Sequence, residues 1–340
     1  MTCCDPPPRS YADFQSFLTA YRKSCALMTA HELGIFKILA KGPKNAGKLC
    51  LETGMDISYG TRFLDTLHHL GLLDKQEDMV ELSPFSRRFL CEKSEEYQGR
   101  SLDFEKRLIE SWQQLLATLC RGKRVYGTGK KSPDEYKKAL AAYLGAMDDA
   151  ARIRARELWD RIKPGDYGVI LDAGAGSGAF LIEFMGRHPR WKGVFCDLPD
   201  VVNRAVSNPV FSPFMDRMDF KAVNFLDDTT CLDVVRADII LCSNLVHCQG
   251  FEETEGLLSR LVEALSKQGV LIIHDFLKNH GTRGALYDLH MMLNTYNGRT
   301  YTTDELRTMV NLEFHHVLTL PSGSCALFFS NRDSMSEFFV

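Results

Sequence analysis

Apolar residues recur at helical spacing through Phe14, Phe17, Leu18, Tyr21, Cys25, Leu27 and Met28 into "AHELGIFKIL", which predicts a long amphipathic helix broken near Gly34. "AGKLCLETG" and "SYGTRFLDTLHHLGLL" then read as a short and a longer helix. "DKQEDMVELSPFSRRFL" predicts two short strands joined by the polar turn "KQED". Three helices and a hairpin in that order form a winged helix-turn-helix. Residues from about 96 to 162 keep a helical pattern, interrupted by the basic stretch "RGKRVYGTGKKSPDE", which reads as a solvated loop. From Gly165 the pattern changes to short apolar runs alternating with helical stretches: "GVILDAG", "GAFLIEFMGRH", "KGVFCDLP", "VVNRAV", "MDFKAVNF", "ADIILCSN", "EETEGLLSRLVEAL", "GVLIIHDF" and "TDELRTMVNL". Alternation of this kind predicts a mostly parallel, doubly wound sheet. The last two runs, "HHVLTL" and "CALFFSN", are separated only by "PSGS", so they form an antiparallel hairpin.

A length of 340 residues with 45% hydrophobic content fills two domains. The expected division is a disordered tail over 1–10, a winged-helix domain over 11–95, a helical linker over 96–164 and an α/β domain over 165–340. A net charge of -3 argues against a dominant nucleic-acid or anionic-membrane footprint. The would-be recognition helix, Tyr59 to Leu70, offers Arg62 and two histidines while presenting Phe63, Leu64, Leu67 and Leu70, so a dimerisation or pocket-closing role suits it better than groove reading. The eleven cysteines are scattered with no CxxC pair, which suits a reducing cytoplasm and gives no metal site. "MTCCDPPPRS" has no secretory pattern and no apolar run reaches about 18 residues, so the chain is expected to be soluble and cytoplasmic, with no membrane partner.

"VILDAGAGSGAF" places Asp172, Gly174, Gly176 and Gly178 at the first strand-to-helix turn of the α/β domain, where glycines allow a tight turn and a close ligand approach. Gly174, Gly176 and Ala179 also satisfy the dinucleotide pattern GxGxxA, so a dehydrogenase is a rival. Asp172 argues otherwise: an acceptor two residues before the first glycine suits an ammonium group, whereas a pyrophosphate needs donors. Asp197 of "CDLP" ends the next strand, placed to accept both hydroxyls of a ribose, which fits either cofactor. The terminal antiparallel hairpin discriminates, because a plain dinucleotide domain does not need it and methyltransferases of the Rossmann-like class carry it.

Over nearly its whole length the sequence resembles the small-molecule O-methyltransferases of the caffeate and hydroxyindole (acetylserotonin) type. The residues that carry the likeness are "AHELGIF", "LDAGAGSG", "DLP" and a histidine after the fourth strand of the α/β domain. The resemblance implies a seven-stranded Rossmann-like domain behind a winged-helix dimerisation domain, and a homodimer that uses S-adenosylmethionine without a metal. It implies that Gly174, Gly176 and Gly178 line the methionine part of the cofactor and that Asp197, followed by Leu198, takes the ribose. Asn224 and Phe225 would flank the adenine, and Ser243 and Asn244 would lie near the sulfonium. The family has Gly-Asp where this chain has Val223-Asn224, so the adenine contact loses a charge.

The resemblance makes His247 of "SNLVHCQG" the general base and Asp275 of "IIHDF" its orienting carboxylate. Departures are Cys248-Gln249 where Asp-Trp is usual, and a non-acidic Thr300 near the place of a second carboxylate. The bland alternative for His247 is an imidazole packed at a strand end. Moving a proton from a phenol of pKa about 10 to a histidine of about 6.5 costs roughly 5 kcal/mol, and from a thiol of about 8.5 roughly 3. The resemblance also places the acceptor pocket between the domains, with Tyr143 and Met147 on one wall, Met291, His290 and Asn294 on the other, and Trp112 from the preceding helix. These side chains suggest a flat or flexible apolar acceptor with a polar handle. The expected activity is methyl transfer to a hydroxyl of a small molecule. The alternatives are S-methylation of a small thiol or thioether acid, and an inert cofactor-binding or winged-helix regulatory protein.

Overall fold

The computed structural model describes residues 8–127, 129, 132–225, 236–336 and 338–339; most of the expected tail and part of the basic interruption lie outside the described residues. The chain forms two compact units. The N-terminal unit runs through Leu108 and includes Ala141–Ala150, and the larger unit holds Ile109–Leu140 and everything from Ala151.

In the N-terminal unit the predicted first helix is broken twice. Tyr11–Thr19 and Tyr21–Glu32 meet at Ala20, where the bonds Ala20 N to Phe17 O and Lys23 N to Ala20 O tighten the turn, and Gly34 at φ 70° then starts Ile35–Leu39. Asn45 caps the helix Ala46–Thr53, which ends on Gly54 at φ 76°. Asp56 caps Ile57–His69, whose apolar face buries Leu64 and Leu67. The expected hairpin is β2 (Leu73–Gln76) and β3 (Met79–Leu82), turning through Glu77 at φ 50°. A short strand that the pattern does not announce, β1 (Lys44–Asn45), pairs antiparallel with the other edge of β3. Two residues are too few for a period. Leu49, Leu64, Leu67, Leu73 and Val80 are fully buried in one core.

The larger unit is built on a sheet of β4 (Gly168–Ala173), β5 (Trp191–Asp197), β6 (Met218–Ala222), β7 (Ala237–Ser243), β8 (Leu265–Asp275), β9 (Phe314–Leu320) and β10 (Gly323–Phe329). Their order is β6-β5-β4-β7-β8-β10-β9, with β10 antiparallel to both neighbours and every other pairing parallel. This is the seven-stranded arrangement expected from the sequence. β8 begins earlier than the "GVLIIHDF" run because Leu265 pairs with Ala237 across a register shift. A helix absent from the sequence alternation, Gly281–Asn294, follows β8. Its glycine-rich start hides its period, and Gly284 is required there because a Cβ would stand 2.1 Å from the Leu277 carbonyl oxygen.

The chain crosses to opposite sides of β4 for β5 and β7, so the carboxyl ends of these strands border a switch point, where open sheets bind ligands. Among the described residues no helix is long and apolar enough to cross a membrane.

Gly178 fixes the turn out of β4. Its φ is 77°, and a Cβ there would stand 2.5 Å from the Phe211 ring and 3.2 Å from that of Phe195. Gly178→Ala therefore combines backbone strain with overpacking and should destabilise the larger unit by about 2–4 kcal/mol. Urea unfolding measures this, and a wild-type midpoint would contradict it.

Candidate active site at the carboxyl edge of the sheet

β4 delivers Asp172 to the sheet edge and turns at once through Gly174, Gly176 and Gly178, at φ 72°, 57° and 77°. Gly174 N and Ala175 N donate to the Cys196 carbonyl oxygen at 2.9 and 3.1 Å, tying this loop to β5. Asp197 at the end of β5 accepts from Gly176 N and from Leu198 N, each at 2.7 Å. Burial raises the pKa of Asp197 while those two donors pull against the rise, and the net shift is upward. Asp172 differs: it is 2% exposed, and no donor or cation pairs with it among the described residues. Burial and the Asp197 charge push its carboxyl up to about 8.

β7 runs into Ser243 and Asn244, the latter in the left-handed region at φ 51°. Asn244 Nδ2 donates to Ser243 Oγ at 3.2 Å, and Asn244 Oδ1 accepts from Arg154 Nη1 at 3.4 Å. The Arg154 guanidinium lies over the Phe276 ring, 5.0 Å from its centroid, with no carboxylate within ion-pair distance among the described residues.

His247 follows in the short turn Val246–Cys248 and is buried. Its Nδ1 lies 2.5 Å from Oδ1 of Asp275, the last residue of β8. The same oxygen accepts from Phe276 N at 2.7 Å, while Oδ2 is buried without a partner. Burial alone would lower the His247 pKa, but the adjacent Asp275 carboxylate, joined by Cys248, more than offsets it and raises the imidazole to about 10. The Nδ1 bond leaves Nε2 as the ring nitrogen available for chemistry.

Aromatic rings surround that imidazole. Tyr287 meets it edge-on with centroids 5.1 Å apart, stacks on Phe276 at 3.6 Å and continues to His290 at 5.0 Å. Trp112, partly buried, lies 6.4 Å from the His290 ring. Burial, with the His247 charge, lowers His290 to about 4, so this ring is a neutral hydrogen-bonding group. Asn294 Nδ2 donates to the His290 carbonyl at 2.9 Å, and Met291 beside it is 5% exposed.

The structure thus brings His247, with Asp275 behind it, and His290 together around Tyr287, sets Asn294 and Trp112 beside His290, and lines Asp172, the glycines, Asp197, Ser243 and Asn244 along one sheet edge. Asn224 is exposed and Phe225 buried, at the boundary of the undescribed segment 226–235. Leu198 is exposed. Tyr143 and Met147 lie in the N-terminal unit, where Tyr143 packs against Phe104 with centroids 5.8 Å apart. Near Thr300 the acid present is Asp288, which accepts from Thr300 N at 2.8 Å and pairs with Lys278 at 2.9 Å. Sequence reasoning missed Arg154, Phe276 and Tyr287. Phe276 directly follows Asp275, and Tyr287 precedes His290 by one helical turn, which are the only signals that could have found them.

Residues 109–313 match the family model of an O-methyltransferase domain, and residues 15–92 that of an O-methyltransferase dimerisation domain. The chain is similar to the tetracenomycin polyketide synthesis 8-O-methyl transferase TcmO of Streptomyces glaucescens, with 27% identity covering 87% of this chain and 89% of that protein. It is likewise similar to the N,N-dimethyltransferase OxyT of Streptomyces rimosus, with 27% identity and 81% of each chain covered. Among solved structures, human N-acetylserotonin methyltransferase in complex with SAM superimposes with a TM-score of 0.77 at 18% identity, covering 96% of this chain and all of that one, which shows a shared fold. The protein belongs to the O-methyltransferase family and is an S-adenosylmethionine-dependent methyltransferase.

Proposed function

We propose that this enzyme methylates a hydroxyl group of a small aromatic molecule, with His247 as general base and Asp275 as the carboxylate that orients and strengthens it. The buried 2.5 Å contact between the two is the observation that carries this reading. An imidazole raised to about 10 matches a phenol of pKa about 10, so the roughly 5 kcal/mol mismatch of an ordinary histidine largely disappears. One carboxylate is therefore enough, and the pair does not need an acid in the place of Thr300. The stacked rings of Phe276, Tyr287 and His290 support a flat acceptor, and neutral His290 with Asn294 supports a polar group on it.

The cofactor's amino-acid end fits two groups that lack partners. Among the described residues Asp172 is a buried acceptor without a cation, and Arg154 a cation without an ion-paired carboxylate, so Asp172 would hold the α-ammonium and Arg154 the α-carboxylate. Asp197, already fixed by Gly176 N and Leu198 N, would accept the ribose hydroxyls, with Asn224 and Phe225 beside the adenine. When bound, the cofactor supplies an electrophilic methyl carbon on a sulfonium sulfur. His247 Nε2 takes the acceptor's proton as its oxygen is methylated, Asp275 holds the resulting imidazolium, and the aromatic shell fixes the approach and excludes water.

Solution assembly follows from the N-terminal unit. The helix Tyr11–Thr19 buries none of its residues, and Tyr11, Phe14, Phe17, Leu18 and Tyr21 are each more than half exposed. A second copy of the chain is the partner that would cover them, giving a homodimer. Eight described cysteines carry free thiols, which supports a reducing, cytoplasmic setting.

His247→Ala should lower kcat/KM on a phenol by about 10²–10⁴-fold with cofactor affinity kept. In the wild type, kcat/KM should rise with pH towards about 10, because the base must be unprotonated. Asp275→Asn should move that limb to lower pH, since the largest influence that opposes burial of the imidazolium is then gone, and should lower the plateau. Undiminished turnover by His247→Ala on the best acceptor contradicts the base role.

Because Asp172 is protonated below about 8 in the free protein and must ionise to hold an ammonium, binding of S-adenosylmethionine at pH 7 should release close to one proton. Calorimetry in buffers of different ionisation enthalpy reads this directly, and Asp172→Asn should abolish the release.

Replacing Phe14 and Phe17 together by Glu should convert the dimer to monomer in sedimentation velocity. A monomeric wild type would overturn that assembly.

A further inference from the structure

β8 carries a second buried histidine that the proposed chemistry does not use. His274 is 2% exposed, lies beside Ser243 in the parallel register and Cys325 in the antiparallel one, and packs on Phe180 with ring centroids 5.0 Å apart. Its Nδ1 stands 3.2 Å from Ser243 Oγ, and its Nε2 is buried without a partner. Its carbonyl oxygen accepts from Asn244 N at 3.0 Å, which helps to hold Asn244 in its left-handed conformation. The contacts form one chain: His274 to Ser243, Ser243 to Asn244, and Asn244 to Arg154.

The proton on this ring can be placed from the unpaired nitrogen. A buried N–H without an acceptor is the costlier orphan, so the hydrogen belongs on Nδ1 and Nε2 keeps a bare lone pair. Nδ1–H then donates to Ser243 Oγ, which also accepts from Asn244 Nδ2. Both lone pairs of that oxygen are used, and the hydroxyl's own hydrogen is left to donate elsewhere. Burial, reinforced by the Arg154 charge, lowers the ring to about 3, so it stays neutral wherever the enzyme is folded and active.

We propose that His274 is a positioning residue for the cofactor's amino-acid end: its Nδ1–H fixes Ser243 and, through Asn244, the Arg154 guanidinium, so that the Ser243 hydroxyl and Arg154 together donate to the cofactor's carboxylate. This rests on Asp172 and Arg154 holding that end of the molecule. His274 is thus distinct from His247, which lies in the turn after β7 against Asp275, the residue that follows His274.

The test compares dissociation constants for S-adenosylmethionine with those for 5′-methylthioadenosine, which lacks the amino-acid end, in His274→Asn, His274→Gln, Ser243→Ala and Arg154→Gln. An Asn amide can stand where Nδ1 stands, whereas a Gln amide reaches the place of Nε2. His274→Gln and Ser243→Ala should each weaken S-adenosylmethionine about fivefold, with the double variant no worse than either alone. His274→Asn should stay within about twofold of wild type, and Arg154→Gln should weaken binding about tenfold or more. Methylthioadenosine affinity should be unchanged in all four, and the pH profile of turnover unchanged in the two His274 variants. Equal affinities for His274→Gln and wild type, or equal losses for both ligands, overturn the role of His274. If Arg154→Gln binds S-adenosylmethionine normally, the underlying reading of the cofactor site fails instead. Should His274→Gln not fold, Ser243→Ala alone decides: unchanged S-adenosylmethionine affinity contradicts the proposal.

Discussion

A carboxylate that water cannot reach has to be answered by a neighbouring group, and Asp275 at the end of β8 is answered by His247. The attraction at 2.5 Å exceeds the penalty of burying the imidazolium, so the pair behaves as one strongly basic unit. The surrounding structure supports that contact. β7 and β8 are parallel neighbours whose register brings Ser243 beside His274, so the turn after β7 folds back over Asp275. Gly298 permits it as well, because a Cβ there would stand 2.5 Å from the His247 carbonyl oxygen. Tyr287 and Phe276 then seal the ring with aromatic surface.

The same logic, reversed, governs the glycine loop. Among the described residues Asp172 is buried without an answering cation, and Arg154 stands without an ion-paired carboxylate. Burial holds the one in its neutral form and leaves the other unpaired, and a zwitterionic amino-acid group answers both at once. Folding leaves this part of the sheet edge incomplete, and ligand binding completes it.

The fold was legible in the sequence wherever an element was long enough to show a period. The alternation from Gly165 and the "PSGS" turn were sufficient for the seven-stranded sheet and its terminal hairpin. β1, at two residues, shows no pattern, and the helix Gly281–Asn294 opens on glycines kept for a close backbone approach. In the site, Asp172, Asp197 and Asp275 could be named because each stands at a strand end or in the glycine motif, and His247 because the resemblance places a histidine after the fourth strand of the α/β domain. Arg154 could not, since one arginine among several in the helix Pro133–Trp159 carries no signal until the fold sets it on Phe276. The raised basicity of His247 was equally hidden. It depends on burial and on a contact between residues 28 positions apart, and without it the missing second carboxylate looks like a defect.

The central claim concerns the charge on one imidazole, and nuclear magnetic resonance of ¹⁵N-histidine-labelled enzyme titrated from pH 6 to 11 reads it directly. The account predicts that the His247 nitrogens keep imidazolium shifts well above pH 7 and titrate near 10, and that Asp275→Asn lowers that midpoint. A wild-type His247 already neutral at pH 7, with a midpoint near the ordinary 6.5, would contradict it.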